Sequence, residues 1–172
     1  AAHHCIIASA AGKHVGIFVA GQAVIERTAA QVFNALKHIA IGIPEVIRRT
    51  ITPLRPALIS VGTLTAGAGA ANVLPSEARL FATMRTTDPA DRDPLFRALQ
   101  KMAERIAEGF GTRAEVTLVE GEPALINDFA LASGADDWLA RLGVDGAEPL
   151  RSLGADDFSY YCDAVPSLML FV

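Results

Sequence analysis

Hydrophobic and polar positions change period several times along the chain, and each change marks an element. His14–Ala20 predicts a strand that ends at Gly21. From Val24 to Ile41, the residues Ile25, Ala29, Val32, Leu36 and Ile39 recur at three- and four-residue steps and share one helical face. Glu26, Arg27, Gln31, Asn34 and Lys37 fall mostly on the other face. Gly42 and Pro44 predict the helix exit, and Glu45–Pro56 a connector whose Arg48, Arg49 and Arg55 form a solvated patch. Two runs of period two follow, Leu58–Leu64 and Glu77–Thr87, the signature of half-buried strands. In the second, Arg79, Phe81, Thr83 and Arg85 share one face and Ala78, Leu80, Ala82 and Met84 the other. Asp88–Pro94 carries helix-start residues, and Leu95, Leu99, Met102, Ala103 and Ile106 predict a helix to about Phe110. Arg113–Glu120 alternates again and predicts a strand.

Together, Val15 to Glu120 gives β-α-β-β-α-β, an α+β, ferredoxin-like arrangement with a four-stranded antiparallel sheet and two helices on one face. Gly121–Val172 differs in kind. Asn127 and Asp128 predict a cap for a helix from about Phe129 to Leu142, with Leu131, Trp138, Leu139 and Leu142 apolar. Gly154–Phe158 predicts a polar turn before a short helix through Tyr161. The apolar run Ser167–Val172 predicts a fully buried strand. These residues read as an incomplete part of a second, α/β domain, giving boundaries of 1–13, 14–120 and 121–172.

Composition narrows the class. Hydrophobic residues make up 51% and charged residues 20%, so a packed core is expected rather than disorder. Aromatics are only 6%, so aliphatics and Ala must build that core. A net charge of −4 argues against a nucleic-acid or anionic-membrane partner. No apolar run reaches membrane-span length, no signal peptide is visible, and Cys5 and Cys162 do not make a disulfide framework. A cytoplasmic protein is the expectation.

Candidate chemistry begins between the two central strands. Ala66–Ala71 (AGAGAA) is too small to pack a core, and the connection through Asn72-Val73-Leu74-Pro75 is longer than strand reversal requires. Asn72 offers an amide and Arg85 a planar fork of donors suited to a carboxylate. The face of Arg85 is either solvent or a site. At the start, His3 and His4 are neighbours on an extended segment and cannot chelate one ion together.

VGTLTAGAGAANVLPSEARLFATMR resembles the lid-domain signature of the M20 metallopeptidase and amidohydrolase family, in its aminoacylase-like branch of hippurate and indole-acetyl-amino-acid hydrolases. INDFAL (126–131) and LGADDFSYYCDAVPSLMLFV (153–172) are similar to further segments of that branch, in the same order. The resemblance implies a ferredoxin-like lid that dimerises, plus part of a catalytic domain. It implies a metal-dependent amidohydrolase that cleaves an N-acyl amino acid or similar small amide with a metal-activated water. It also implies two divalent ions (Zn, Mn, Co or Ni), a small-molecule substrate and a homodimer. Asn72 and Arg85 would hold the substrate's carboxylate on one pocket rimmed by the sheet, and His4 would be a metal ligand, the alternative being a surface histidine or tag remnant.

The sequence also departs from the family. The Gly-Gly-His loop that normally follows the first lid strand is replaced by Gly21-Gln22-Ala23-Val24-Ile25, and neither His14 nor His38 stands in its place. No Glu-Glu pair or His-x-Asp occurs, and Asp156 stands where the branch has Glu. Asp156-Asp157 reads as a helix cap with a solvated neighbour. The alternative function is therefore a lid, dimerisation or small-molecule-binding module that lacks the metal ligands.

Overall fold

The computed structural model describes residues 8–9, 11–20, 28–67, 75, 77–144 and 151–170. The elements are β1 (Ala8–Ser9), β2 (Ala11–Ala20), α1 (Thr28–Thr50), β3 (Ala57–Ala66), β4 (Glu77–Thr86), α2 (Arg92–Gly109), β5 (Arg113–Glu120), β6 (Leu125–Ile126), α3 (Phe129–Arg141), β7 (Arg151–Ser152) and α4 (Ser159–Ala164). Four strands form an antiparallel sheet in the order β3-β4-β2-β5, with α1 and α2 packed on one face. A smaller sheet, β6-β1-β7, pairs β1 antiparallel to β6 and parallel to β7.

The alternation in β4 decides which face is covered. Ala78, Leu80, Ala82, Met84 and Thr86 are buried, while the residues between them are exposed or half-buried. β3, at the edge, is buried only at Ile59, and a bulge interrupts its pairing between Val61 and Thr63. The bulge leaves Gly62 unpaired and shifts the later residues by one, so that Leu64 and Ala66 stand opposite the core-facing Leu80 and Ala78. Val32, Leu36 and Ile39 of α1 and Leu95 and Leu99 of α2 close the core from above. Among the residues whose burial is described, no aromatic side chain is buried, in line with the low aromatic content.

Two expectations need correction. First, Gly42 and Pro44 do not end the first helix, which runs on through the supposed connector to Thr50. Ile43 and Val46 carry the apolar stripe past Gly42, and Ile51 follows it into the core. Burial of such side chains is worth roughly 1.5–3 kcal/mol each. Together they outweigh the ~3 kcal/mol of an interior proline, whose ring is exposed here. Gly42 serves packing instead: a Cβ there would lie 2.6 Å from Met102 Sδ of α2.

Second, Ser167–Val172 forms no strand over its described residues, 167–170. Side chains rather than a neighbouring strand take up part of its backbone. Asn127 Nδ2 donates to the Met169 carbonyl at 2.9 Å, and Met169 N donates to Asn127 Oδ1 at 2.8 Å. The three arginines are exposed, as expected of a solvated patch, and each also pairs with a carboxylate. Arg48 and Arg49 both bond Glu45 on the same helix, and Arg55 pairs with Asp88 and the buried Asp91, each at 3.0 Å. In α3, Asp128 caps the helix as expected, accepting from Leu131 N at 2.9 Å. Its Leu131, Trp138 and Leu142 are exposed, and only Ala132 is buried.

Candidate functional site

Arg85 stands on the sheet face turned away from both helices, because the odd positions of β4 point opposite to its buried even ones. Its strand neighbours in register are Gly12 of β2 and Leu58 of β3. Thr83, next on that face, pairs with Ser60 and with His14, and Phe81 beyond it is 53% exposed. The Arg85 guanidinium is half-buried and donates through Nη1 to the Leu153 carbonyl at 2.7 Å. No carboxylate pairs with it among the described residues. By contrast Arg48, Arg49, Arg55 and Arg79 each hold one.

A guanidinium carries five N–H donors in a fixed fork, and among the described residues the bond to Leu153 uses only part of it. A half-buried cation of this kind suits a bidentate anion. The bond to Leu153 also ties β4 to the segment after β7, so this residue bridges the large sheet and the region of the small one.

Asn72 and His4, the other two residues singled out in the sequence, lie outside the described residues, as do His3 and Cys5. His38 Nδ1 donates to the Asn34 carbonyl at 2.8 Å, and its ring lies 5.0 Å from that of Phe110, so it caps its own helix surface. Asp156 Oδ1 accepts from Phe158 N at 2.8 Å and its carbonyl accepts from Ser159 N, which makes it the turn-holding residue before α4, with Asp157 exposed beside it. Burial pushes the Cys162 thiol above its usual range, which leaves it a poor nucleophile. Among the described residues no three His, Cys, Asp or Glu side chains gather as a metal site, and no helix is long and apolar enough to cross a membrane.

What sequence reasoning missed is the partner of Arg85. A backbone carbonyl 68 positions away carries no side-chain signal. The Asn127 bracket around Met169 had one, a polar residue just before a cap, but its partner is again backbone.

No protein-family model matches the sequence. The N-acetylcysteine deacetylase of Bacillus subtilis is 29% identical over 152 residues, covering 88% of this chain and 40% of that protein. A probable hydrolase of Synechocystis is 30% identical over 144 residues, 82% of this chain and 35% of its own length. Among solved structures, the Bacillus subtilis YXEP protein, a dinuclear metal-binding peptidase of the M20 family, superposes with a TM-score of 0.76 at 25% identity. It covers 95% of this chain and 40% of that one. The M20 resemblance read from the sequence holds. It points to the aminoacylase-like branch, as the motifs indicated, and the mixed α/β fold matches M20 structures. The chain spans less than half the length of those relatives.

Proposed function

We propose that residues 14–120 are the ferredoxin-like lid of an M20 amidohydrolase, that residues 1–13 and 121–172 belong to its catalytic domain, and that Arg85 binds the carboxylate of an N-acyl amino acid. The observation that carries this reading is the half-buried guanidinium on the helix-free face of the sheet, with no carboxylate paired to it among the described residues. The strand order, with β2 between β4 and β5 and β3 at the edge, supports the ferredoxin-like assignment. The substrate class is supported by relatives named for deacetylation of N-acetylcysteine.

The chemistry assigned to this chain is binding and orientation. Arg85 would present its free donors to the carboxylate, fixing the amide at a set distance from the sheet. Asn72 would add an amide donor from the β3–β4 loop. The family's two divalent ions would polarise the carbonyl and activate water, but the described residues do not fit a metal site. His4 remains the candidate ligand of this chain. A homodimer and a cytoplasmic location belong to the same reading. For the homodimer, edge strand β3 exposes Leu58, Val61 and Leu64, and α1 exposes Phe33 and Ile41.

The test uses the complete protein that carries this chain. Arg85→Ala should raise KM for N-acetyl amino acids by at least about thirtyfold, the equivalent of losing ~2 kcal/mol from a charged pair. Methyl-ester substrates, which lack the charge, should show equal KM in both proteins. An unchanged KM for the free acids removes the role from Arg85.

A further inference from the structure

On the opposite side of the molecule from Arg85, a cleft of about 590 Å³ runs along the seam between α1 and α2. Its size falls within the roughly 300–1,000 Å³ of small-molecule sites. The floor is apolar, formed by Gly42, Val46, Met102 and Ile106. Within that floor Met102 packs closely on Gly42, where a Cβ would lie 2.6 Å from Met102 Sδ. Between Gly42 and Thr50, both on its wall, α1 rises about 12 Å, the length of a medium acyl chain.

The rim is cationic in a chain whose net charge is −4. Arg49, Lys101 and Arg105 line it, against the single carboxylate of Glu45. That carboxylate is already taken. Bonds from Arg48, then Arg49, hold it down at about 2, so it stays ionised and engaged. Lys101 and Arg105 stand one turn apart on α2, where like charges repel. Neither has an anionic partner among the described residues. An apolar trough beside two unneutralised cations fits one class of ligand, an anion with an aliphatic tail.

We propose that the α1–α2 cleft binds a medium-chain carboxylate, with the tail along Gly42, Val46, Met102 and Ile106 and the carboxylate between Lys101 and Arg105. The site is separate from the Arg85 face and does not depend on the hydrolase reading. A carboxylate is favoured over inorganic phosphate because most of the floor offers no hydrogen-bonding group.

The experiment is a titration of the chain, labelled with ¹³C-methyl methionine, with octanoate, octanol and inorganic phosphate. Only three methionines occur, so the signals are readily assigned. Octanoate should shift the Met102 methyl saturably and leave that of the fully buried Met84 in place. Octanol and phosphate should each bind at least about tenfold more weakly. In the double variant Lys101→Gln/Arg105→Gln, both side chains being exposed, octanoate affinity should fall about tenfold while octanol affinity is unchanged. Equal affinities for octanoate and octanol, a silent Met102, or an unaffected double variant would each overturn the proposal. So would light scattering showing that the cleft is closed by a second copy, with octanoate excluded.

Discussion

Substituting Gly42 by Ala sets two effects of similar size against each other, and the structure says which partner controls the outcome. In a helix interior the change should stabilise by about 0.8–1.0 kcal/mol, because Ala loses less backbone freedom on folding than Gly. The new Cβ would lie 2.6 Å from Met102 Sδ and 3.4 Å from its Cε. Relaxed contacts sit near 3.5–4.0 Å, so Met102 must retreat by about 1 Å. It is half-buried and flexible, so it can rotate toward the cleft at ~0.5–1.5 kcal/mol for a poor rotamer. The two effects nearly cancel, leaving Gly42→Ala within about 1 kcal/mol of the parent. In a Met102→Ala background the obstruction is gone and the full propensity gain should appear. Urea denaturation of the four proteins in the cycle should therefore give a coupling of about 1 kcal/mol. If Gly42→Ala stabilises equally in both backgrounds, close approach to Met102 is not what the glycine serves.

Other outcomes follow from single contacts. Asn127→Ala leaves the N–H and carbonyl of Met169 without the side chain that pairs both, and should cost about 1–3 kcal/mol in chemical denaturation, with faster hydrogen exchange at Met169. Glu45 titrates in the folded chain at about 2 against an ordinary 4.5, held down by Arg48 and Arg49. Its contribution to stability is thus present above about pH 4.5 and lost as pH falls toward 2, small in size because the pair is exposed. Carbon-detected NMR titration should show the low value, and Arg48→Gln should raise it.

Periodicity made β4 legible because only one of its faces is covered, so alternation in the sequence is alternation in burial. It placed β5 at Arg113–Glu120 for the same reason. The second half of α1 was not legible. Gly42 and Pro44 are local stop signals, and only the distant core partners of Ile43, Val46 and Ile51 override them. Ser167–Val172 failed differently: an apolar run has the same composition whether a strand or an Asn side chain receives its backbone. For the candidate site, alternation along β4 put Arg85 on the helix-free face. Nothing along the chain could name Leu153, because a carbonyl is common to every residue.

The position of β2 has a consequence for how the sheet comes together. It lies between β4 and β5, so Gly12 meets Arg85 on one side and Lys13 meets Glu120 on the other. During synthesis the earliest of the four strands therefore waits longest for its neighbours, on the order of ten seconds at ribosomal rates before Glu120 is made. Until Thr86 is made both of its hydrogen-bonding edges lack their partners, and the edge that β5 covers stays open to any other extended chain until Glu120. The β3–β4 hairpin and the two helices can assemble without it, and they are the natural template on which the waiting strand is finally received.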